Sequence, residues 1–316
     1  MSDKSAIVTG GAGFIGSHVV DLLLGDDWRV VVADDLSTGD ARRVADEATL
    51  EVVDITDRDA LDRVIDSARP TAIFHLAAQA SVTRSVADPG RDCEINVLGT
   101  LNVLEGATRH GAPVVFTSTG GALYGDRAPM PTPEDAPPAP ISPYGASKWA
   151  AEAYVATWRE SSGIDHAVCR LANVYGPRQN PHGEAGVVAI FSHCLCHGVS
   201  PTLYGFGKPT RDYVHVHDVA RALLAAVGRA GVFNVSTGVE TDVSRLFEVL
   251  RSAAGATVEA ELAPLRAGEL ERSCIDPGRA WKQLGWEARV ALEDGLATTY
   301  RALAEEFERE ASPAAG

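Results

Sequence analysis

The N-terminal segment Ser5-Ala6-Ile7-Val8-Thr9-Gly10-Gly11-Ala12-Gly13-Phe14-Ile15-Gly16-Ser17-His18 sets the architecture of this chain. Its first residues are an apolar run typical of a buried strand, and an apolar helical pattern begins at Phe14. The glycines between them fit G-x-x-G-x-x-G and, counted from Gly11, G-x-G-x-x-G. Such glycines let the backbone approach a pyrophosphate, which rests on the helix N-terminus. The strand–glycine–helix context therefore predicts a dinucleotide site. The residues expected to contact the dinucleotide here are Gly10, Gly13, Phe14, Ile15 and Gly16.

Short apolar runs and helical patterns continue to alternate through the first half of the chain. Further strands are predicted over residues 29–33, 50–53, 72–76, 114–117 and 167–171, and helices over 14–24, 58–67, 93–110 and 144–161. The runs are nearly continuous in apolar residues, which predicts strands covered on both faces. The β-α-β-α order predicts an α/β fold with a Rossmann-type, doubly wound parallel sheet.

The second half of the chain is less regular and predicts a smaller C-terminal α/β substrate lobe. We expect a dinucleotide-binding domain over residues 1–172 and a substrate-binding lobe over 173–316, with residues 212–235 returning to the main sheet. The Pro-rich residues 128–143 lie between a strand and a helix that both carry candidate catalytic residues. They therefore predict an active-site loop rather than a linker.

Composition excludes several classes of function. The 316 residues carry 43 acidic and 28 basic side chains, a formal net charge of −15, so the overall field opposes nucleic acid and anionic membranes. No apolar run approaches the roughly 18 residues of a membrane span, and a strand pattern begins too early for a signal peptide. The five cysteines are scattered apart from Cys194 and Cys196, which indicates free thiols rather than a metal site. We expect a cytoplasmic protein with no metal.

Acidic and small residues at successive strand ends extend the predicted dinucleotide pocket. Asp34 lies 18 residues after Gly16, near the spacing of the acid that accepts hydrogen bonds from the adenosine ribose. A carboxylate there would repel a 2′-phosphate, which favours NAD over NADP. Asp35 is given the weaker role, with a turn cap as the alternative. Two later strand ends add candidates, each also compatible with ordinary strand-end chemistry: Asp54 and Ile55 beside the adenine, and Leu76, Ala77 and Ala78 along the dinucleotide.

The predicted helix after the Pro-rich stretch carries the candidate catalytic pair. Ser142 is the expected N-cap and Pro143 the first helical residue. Tyr144 and Lys148, at i and i+4, share one helical face. A tyrosine titrates near pH ~10, and we expect the ammonium and a positive nicotinamide to lower that pKa so that Tyr144 acts as a base.

Hydroxyl groups end the strand that precedes the Pro-rich stretch. Thr119 is the candidate catalytic hydroxyl, which would hydrogen-bond the reacting sugar oxygen, with Ser118 in support. Hydroxyls at strand ends also cap turns, and that reading stays open for both.

These motifs, with Asn173-Val174-Tyr175-Gly176-Pro177 and Arg211-Asp212-Tyr213-Val214-His215-Val216, closely resemble the extended short-chain dehydrogenase/reductase family. The resemblance covers almost the whole chain in the family's order, and within the family it is greatest to the bacterial UDP-glucose 4-epimerases (UDP-galactose 4-epimerases). It implies tightly held NAD and 4-epimerisation of a UDP-hexose. Tyr144 would take the proton of the sugar 4-hydroxyl while a hydride leaves C4. The 4-keto sugar would then turn over and receive the hydride on its opposite face.

The same resemblance implies a set of substrate contacts. Asn173 would contact the substrate, Arg211 the diphosphate, and Arg266 and Glu269 the phosphate and uridine ribose. A surface salt bridge is the alternative for each arginine. Asn96 matches a cofactor-side position and is also compatible with a structural amide inside a helix. The residues expected to line the uracil are Thr202, Leu203 and Tyr204.

Local chemistry separates related reactions. Gly120 and Gly121 follow Thr119 where the family's dehydratases carry Asp-Glu, and the decarboxylases' nearby glutamate is missing as well. The UDP-glucuronate epimerases usually carry an arginine where this chain has Asn180, and Glu184 adds a negative charge unless Arg178 turns inward. A neutral sugar is therefore favoured. The resemblance aligns Ser273 with a tyrosine beside the sugar C2 group in some members, and its small size leaves UDP-GlcNAc/UDP-GalNAc open.

Two further expectations concern partners and class. The helices over 93–110 and 144–161 match those that pair in the dimers of family relatives, so we expect a homodimer, although packing within one chain would bury the same faces. A non-catalytic, NAD-binding regulatory protein is the alternative of a different class. Such proteins usually lose the tyrosine or the lysine, and both are present here.

Overall fold

A computed structural model describes residues 4–125, 128–181, 186–266 and 269–311. Its strands are β1 Ser5–Thr9, β2 Arg29–Asp34, β3 Thr49–Val52, β4 Ala72–His75, β5 Val114–Thr119, β6 Ala167–Leu171, β7 Asn173–Tyr175, β8 Thr202–Tyr204, β9 Thr210–His215, β10 Gly231–Val235, β11 Glu240–Asp242, β12 Glu261–Ala263 and β13 Arg272–Ser273. Its helices are α1 Phe14–Gly25, α2 Arg58–Ala68, α3 Val82–Ala87, α4 Pro89–Cys93, α5 Gly99–Arg109, α6 Pro143–Ser162, α7 Val187–Cys196, α8 Val216–Ala225, α9 Val243–Ala254, α10 Gly278–Leu284 and α11 Leu292–Ala311.

Seven parallel strands form the main sheet in the order β10-β6-β5-β4-β1-β2-β3. Successive residues of a strand point to opposite faces, so Val8 and Ile7 enter two separate apolar cores. Helices cover both cores, which confirms the predicted doubly wound α/β fold. The carboxyl ends of β1, β4 and β5 meet at one edge of the sheet, where ligands of such folds bind.

The prediction that every strand is covered on both faces was wrong for β3. This strand lies at the edge of the sheet and pairs with β2 alone. Three of its four residues are exposed, and the side chain of Val52 is 67% exposed. An edge strand has one neighbour and less helix above it, which an apolar run in the sequence does not reveal.

The helix expected over residues 93–110 is interrupted. The helix α4 ends at Cys93, a single π-helical turn covers Glu94–Leu98, and α5 begins at Gly99. The wider turn carries the buried Asn96, which is 1% exposed. Single π turns occur frequently at functional sites.

The chain returns to the main sheet after passing through the smaller lobe. The helix α8 packs against α1, and β10 pairs in parallel with β6. The strand β9, which includes the first residues of the expected return, instead joins a small sheet with β7, β11 and β13. The smaller lobe has its own apolar core, which includes Phe191, Tyr213 and Phe247.

Candidate active site

The glycine loop between β1 and α1 forms a cradle that a side chain would fill. Gly10 has a φ of +71°, and a Cβ there would lie 2.6 Å from the amide nitrogen of Ala77. A Cβ on Gly16 would lie 2.1 Å from the carbonyl oxygen of Gly10. Gly13 is the N-cap of α1 and brings no side chain to the first-turn amides. Phe14 and Ile15 open the helix. Close backbone approach and free helix amides fit the pyrophosphate of a dinucleotide.

Asp34 anchors this loop from the end of β2. Its carboxylate is 7% exposed and accepts hydrogen bonds from the amides of Ala12, at 3.0 Å, and Leu36, at 2.9 Å. Burial raises its pKa. A carboxylate offers about four lone pairs, so acceptor capacity remains for a ribose hydroxyl. Asp35 is exposed and accepts from the amide and the hydroxyl of Ser37, as a turn cap does.

The two later strand ends differ from each other. Leu76, Ala77 and Ala78 are half-buried, and Ala77 directly adjoins Gly10. After β3, Asp54 is bonded to Thr56 and Arg91.

Ile55 is 5% exposed and packs into the core beneath the sheet edge, against Gly99. Gly99 opens α5, so Ile55 packs against the start of that helix, and its expected place beside an adenine stays a prediction.

The helix α6, which carries the candidate catalytic pair, begins as the sequence predicts. The Ser142 hydroxyl accepts from the amide of Gly145 at 3.2 Å, and Pro143 is the first helical residue. A Cβ on Gly145 would lie 2.4 Å from the carbonyl oxygen of Ala122, so only glycine lets the helix start this close to the loop after β5. This close approach brings the Tyr144 side chain beside Thr119, which acts on the pKa of the tyrosine.

Burial dominates the electrostatics of the Tyr144–Lys148 pair. It raises the pKa of Tyr144 to about 12, an effect that the neighbouring Thr119 hydroxyl partly offsets. It lowers the pKa of Lys148 to about 8, against the opposing carboxylates of Asp92 and Glu152. The Lys148 ammonium donates to the carbonyl oxygen of Thr117 at 3.0 Å. The lowered tyrosine pKa expected from the sequence is therefore not a property of the protein alone.

Ser118 lies away from this pair. Side chains alternate along β5, so Ser118 points to the face opposite Thr119. It is 4% exposed, and its hydroxyl has no hydrogen-bond partner among the described residues. The geometry therefore separates the two hydroxyls that the sequence places together.

A buried polar network under the site was missed by sequence reasoning. Thr9 bonds His75 Nδ1 at 2.7 Å, His75 Nε2 bonds Thr100 at 3.0 Å, and Thr100 donates to the Asn96 carbonyl at 2.7 Å. Thr100 has a single proton to give, so His75 carries its proton on Nε2. Burial lowers the pKa of His75 to about 3, which keeps it neutral. The only signals in the sequence were single polar residues within apolar runs.

Asn96 belongs to the same network. Its side-chain oxygen accepts from the Gln79 amide at 3.0 Å, and its nitrogen bonds Gln79, Asp92 and Ser147. Both ends of the amide are held by the protein. The geometry supports the structural amide that the sequence left open.

The small sheet brings three predicted substrate residues together. In register, Asn173 of β7 pairs with Tyr213 of β9, and Ser273 of β13 pairs with Arg211 of β9. Asn173 is exposed, and its side-chain oxygen lies 3.9 Å from a Cβ built on Gly121. The Cβ built on Gly121 also lies 4.0 Å from the Thr119 hydroxyl oxygen. The small sheet that carries the predicted substrate residues therefore meets the end of β5 at Gly121.

Arg211 is held by the backbone around it. Its guanidinium donates to the carbonyl oxygens of Thr210 and Leu270, each at 2.8 Å, and burial lowers its pKa. Nitrogen donors remain on the guanidinium for an anionic ligand, since arginine carries five. Among the described residues, none forms the surface salt bridge considered for Arg211.

A second basic group lies on the β8 side of the lobe. Arg266 stacks over the Tyr204 ring at 3.7 Å from its centroid, and its guanidinium lies 3.6 Å from Glu269. Thr202 shares the half-buried face of β8 with Tyr204. Leu203 is 3% exposed and belongs to the lobe core, so its side chain does not line this surface. Residues 267–268 of the Arg-Ala-Gly-Glu motif lie outside the described residues.

Two observations bear on the type of sugar and reaction. Arg178 binds Asp21 of α1 at 2.8 Å, so its charge is directed at that helix. Glu184, which entered the same argument, lies outside the described residues. A Cβ on Gly120 would lie 2.4 Å from Cδ1 of Ile275, so a side chain at this position, such as the acid of a dehydratase, requires Ile275 to move.

Other site types were also sought. Within residues 4–125, 128–181, 186–266 and 269–311, no group of three or more His, Cys, Asp or Glu is arranged to hold a metal ion. In those same ranges, no helix is both long and apolar enough to cross a membrane. All five cysteines are free thiols.

The glycine cradle, the Tyr144–Lys148 helix and the parallel sheet define an extended short-chain dehydrogenase/reductase. The family model described as the NAD dependent epimerase/dehydratase family matches residues 6–236. The chain belongs to that family.

Similar proteins agree with this assignment. A UDP-glucose 4-epimerase of Mycolicibacterium smegmatis is 48% identical over 302 residues, covering 93% of this chain and 96% of the relative. The structure of the Thermotoga maritima UDP-glucose 4-epimerase with UDP-glucose has a TM-score of 0.93 at 43% identity, covering 96% of this chain and 99% of that one. The Thermus thermophilus UDP-glucose 4-epimerase complex with NAD has a TM-score of 0.89 at 42% identity, covering 95% and 98%.

Proposed function

We propose that this protein is an NAD-dependent isomerase that interconverts UDP-glucose and UDP-galactose at C4. The observation that carries the proposal is the grouping of buried Tyr144, Thr119 and buried Lys148, with Lys148 fixed on the Thr117 carbonyl, at the sheet edge that also holds the glycine cradle. The UDP-glucose 4-epimerases that resemble the chain over nearly its full length support the substrate. Gly120 and Gly121 support isomerisation over dehydration, since no acid stands beside Thr119.

Each catalytic residue has a distinct task in this proposal. Tyr144 takes the proton from the sugar 4-hydroxyl and returns it, while Thr119 holds that oxygen in line. Lys148, fixed by the Thr117 carbonyl, supplies positive charge that favours the phenolate. NAD held by the glycine cradle would supply the acceptor and donor for the C4 hydride and, in its oxidised form, positive charge that favours the phenolate of Tyr144. The pKa of about 12 in the protein alone means that Tyr144 stays protonated until such charge arrives.

The smaller lobe would hold the nucleotide. We assign the diphosphate to Arg211 and Arg266, whose planar guanidinium groups bind phosphate oxygens in pairs. Asn173 would contact the sugar, Glu269 the uridine ribose and Tyr204 the uracil. In the cofactor site, Asp34 would accept from the adenosine ribose. The pairing of Arg178 with Asp21 supports a neutral sugar over UDP-glucuronate.

The test is the conversion of UDP-galactose to UDP-glucose by the purified protein. The variant Tyr144→Phe should lose about 10²–10⁴-fold in kcat, the usual contribution of a general base. The matched control is Tyr154→Phe, an exposed tyrosine of the same helix, which should keep the parent rate. Turnover would also exclude a regulatory NAD-binding protein. No turnover by the parent, with the Phe variant identical to it, would overturn the proposal.

A parallel assay with UDP-GalNAc addresses the C2 group. Ser273 is small and lies beside Arg211 in register, which supports UDP-GlcNAc/UDP-GalNAc as a second substrate pair. Comparable kcat/KM for both pairs is expected if the pocket is open at C2. Faster turnover of UDP-glucuronate than of either pair would contradict the assignment of a neutral sugar.

We propose further that the protein is a homodimer. Leu98, Trp149 and Tyr154 are 52%, 45% and 40% exposed on the π turn and on α6, two elements packed side by side. Sedimentation equilibrium should give twice the chain mass of 33.3 kDa, and Leu98→Glu should shift it towards one chain. Val239→Glu, an exposed apolar position after β10, is the control. A single-chain mass for the parent at micromolar concentration would contradict the dimer. The cytoplasmic location expected from the sequence stays a prediction.

A further inference from the structure

One buried carboxylate beneath the active site has no part in the reaction so far described. Asp92, on α4, is 1% exposed. Its Oδ1 accepts from the Gln79 side chain at 2.8 Å and from the Asn96 side chain at 3.1 Å. Its Oδ2 is buried and has no hydrogen-bond partner among the described residues. An unpaired buried charge disfavours folding, and a neutral amide would accept the same two bonds. The two hydrogen bonds alone therefore do not explain why this position carries a carboxylate rather than an amide.

The bonds of Asp92 join the two halves of the site. Gln79 follows Ala77 and Ala78, the small residues beside the glycine cradle. Asn96 donates to the Ser147 hydroxyl at 3.0 Å, which in turn donates to the Tyr144 carbonyl at 3.0 Å. Asp92 thus connects the loop that faces the cofactor with the first turn of the catalytic helix.

We infer that Asp92 is a positioning residue whose negative charge, fixed between these two segments, keeps Lys148 in its ammonium form. The consequence for turnover rests on the proposed function. The charge state of Lys148 does not, and it can be measured separately.

Glu152 is the second carboxylate that raises the pKa of Lys148, but it also neutralises an arginine. Glu152, on the same helix, is bound by Arg170 at 2.6 Å in a fully buried pair. His75, on β4, has its pKa lowered by burial to about 3 and is neutral. The Phe116 ring and the Thr117 carbonyl, from β5, are uncharged. Asp92 also raises the pKa of Tyr144, so removing its charge should lower both pKa values.

The variant Asp92→Asn isolates the charge, because an Asn oxygen keeps both accepted bonds and its NH₂ takes the unpaired position. The chain has four lysines, Lys4, Lys148, Lys208 and Lys282, so side-chain NMR of the lysine-labelled holoenzyme can follow Lys148, assigned with Lys148→Met. We expect its pKa to fall by about one unit, the scale of one nearby buried charge. The control is Glu94→Gln, an exposed carboxylate paired with Arg91, which should leave Lys148 unchanged.

The pH profile of UDP-galactose conversion supplies a second readout. Both limbs of the kcat profile should move to lower pH in Asp92→Asn, by about one unit, with little change in KM. A folded Asp92→Asn holoenzyme whose Lys148 titrates as in the parent overturns the inference, whatever the enzyme does. A shifted Lys148 titration in a protein that never converts UDP-galactose refutes the proposed function and leaves the inference intact. Asp92→Ala, which also loses both bonds, should show the same titration shift with lower thermal stability. A loss of stability without that shift indicates a purely structural role and overturns the inference.

Discussion

The variant Glu152→Gln tests how strongly the buried ion pair under the catalytic helix contributes to stability. Arg170 donates through Nε to the two Glu152 oxygens at 3.0 and 3.2 Å and through Nη2 at 2.6 Å. Both side chains are 6% exposed. Removing one partner of such a pair leaves the other charge buried and unpaired, at a cost of about 3–5 kcal/mol. We expect the free energy of unfolding to fall by about 3 kcal/mol, because glutamine keeps one acceptor oxygen.

The assay is urea unfolding followed by tryptophan fluorescence, with linear extrapolation to water. The control is Glu160→Gln at the end of the same helix, whose pair with Arg159 is 77% and 31% exposed. It should cost less than about 1 kcal/mol. In the double variant Glu152→Gln/Arg170→Gln, the loss of unfolding free energy should be smaller than the sum of the two single losses, because no unpaired charge remains in the interior. A Glu152→Gln protein as stable as Glu160→Gln would refute this reasoning.

Three further changes have expected outcomes. Gly16→Ala, which meets the Gly10 carbonyl at 2.1 Å, should retain about a tenth or less of the parent's NAD on extraction, a loss of ~1.4 kcal/mol. Gly25→Ala, on the same helix with nothing within 4 Å, should retain all of it. Burial lowers the pKa of His166 to about 4, so the unfolded chain binds more protons below pH ~6.5 and stability falls as the pH drops towards 4. His166→Asn should reduce that slope, and an unchanged slope would contradict it. Arg266→Leu should raise KM for UDP-galactose about tenfold with kcat retained; an equal loss in kcat would argue against a binding role.

The sequence was sufficient for the features that depend on local order. The glycine spacing and the strand–helix alternation predicted the doubly wound sheet. Tyr144, Lys148 and Thr119 were correctly expected at one edge, because parallel strands end on the same side. The N-cap at Ser142 followed from short-range preferences alone.

Features that depend on tertiary packing could not be predicted from the sequence. The sequence could not show that the side chains of Ile55 and Leu203 pack into apolar cores. An apolar residue beside a ligand pocket and one inside a core have the same sequence pattern. Asp92 is linked by hydrogen bonds to the catalytic helix through Asn96 and Ser147, which are 51 residues apart in the chain. The pKa of Tyr144 depends on how deeply the surrounding loops bury it, which no residue pattern encodes.

The position of β10 affects how the protein emerges from the ribosome. This strand forms the border of the main sheet beside β6, yet it is encoded after β7, β8 and β9. Until Gly231–Val235 has been translated and docked, β6 presents an open row of amides and carbonyls, which is a template for wrong pairing. A nascent chain stalled anywhere between β6 and β10 would already contain the whole of α6, while β6 would still lack its second neighbour in the sheet. Completion of the domain is therefore tied to synthesis of much of the second lobe.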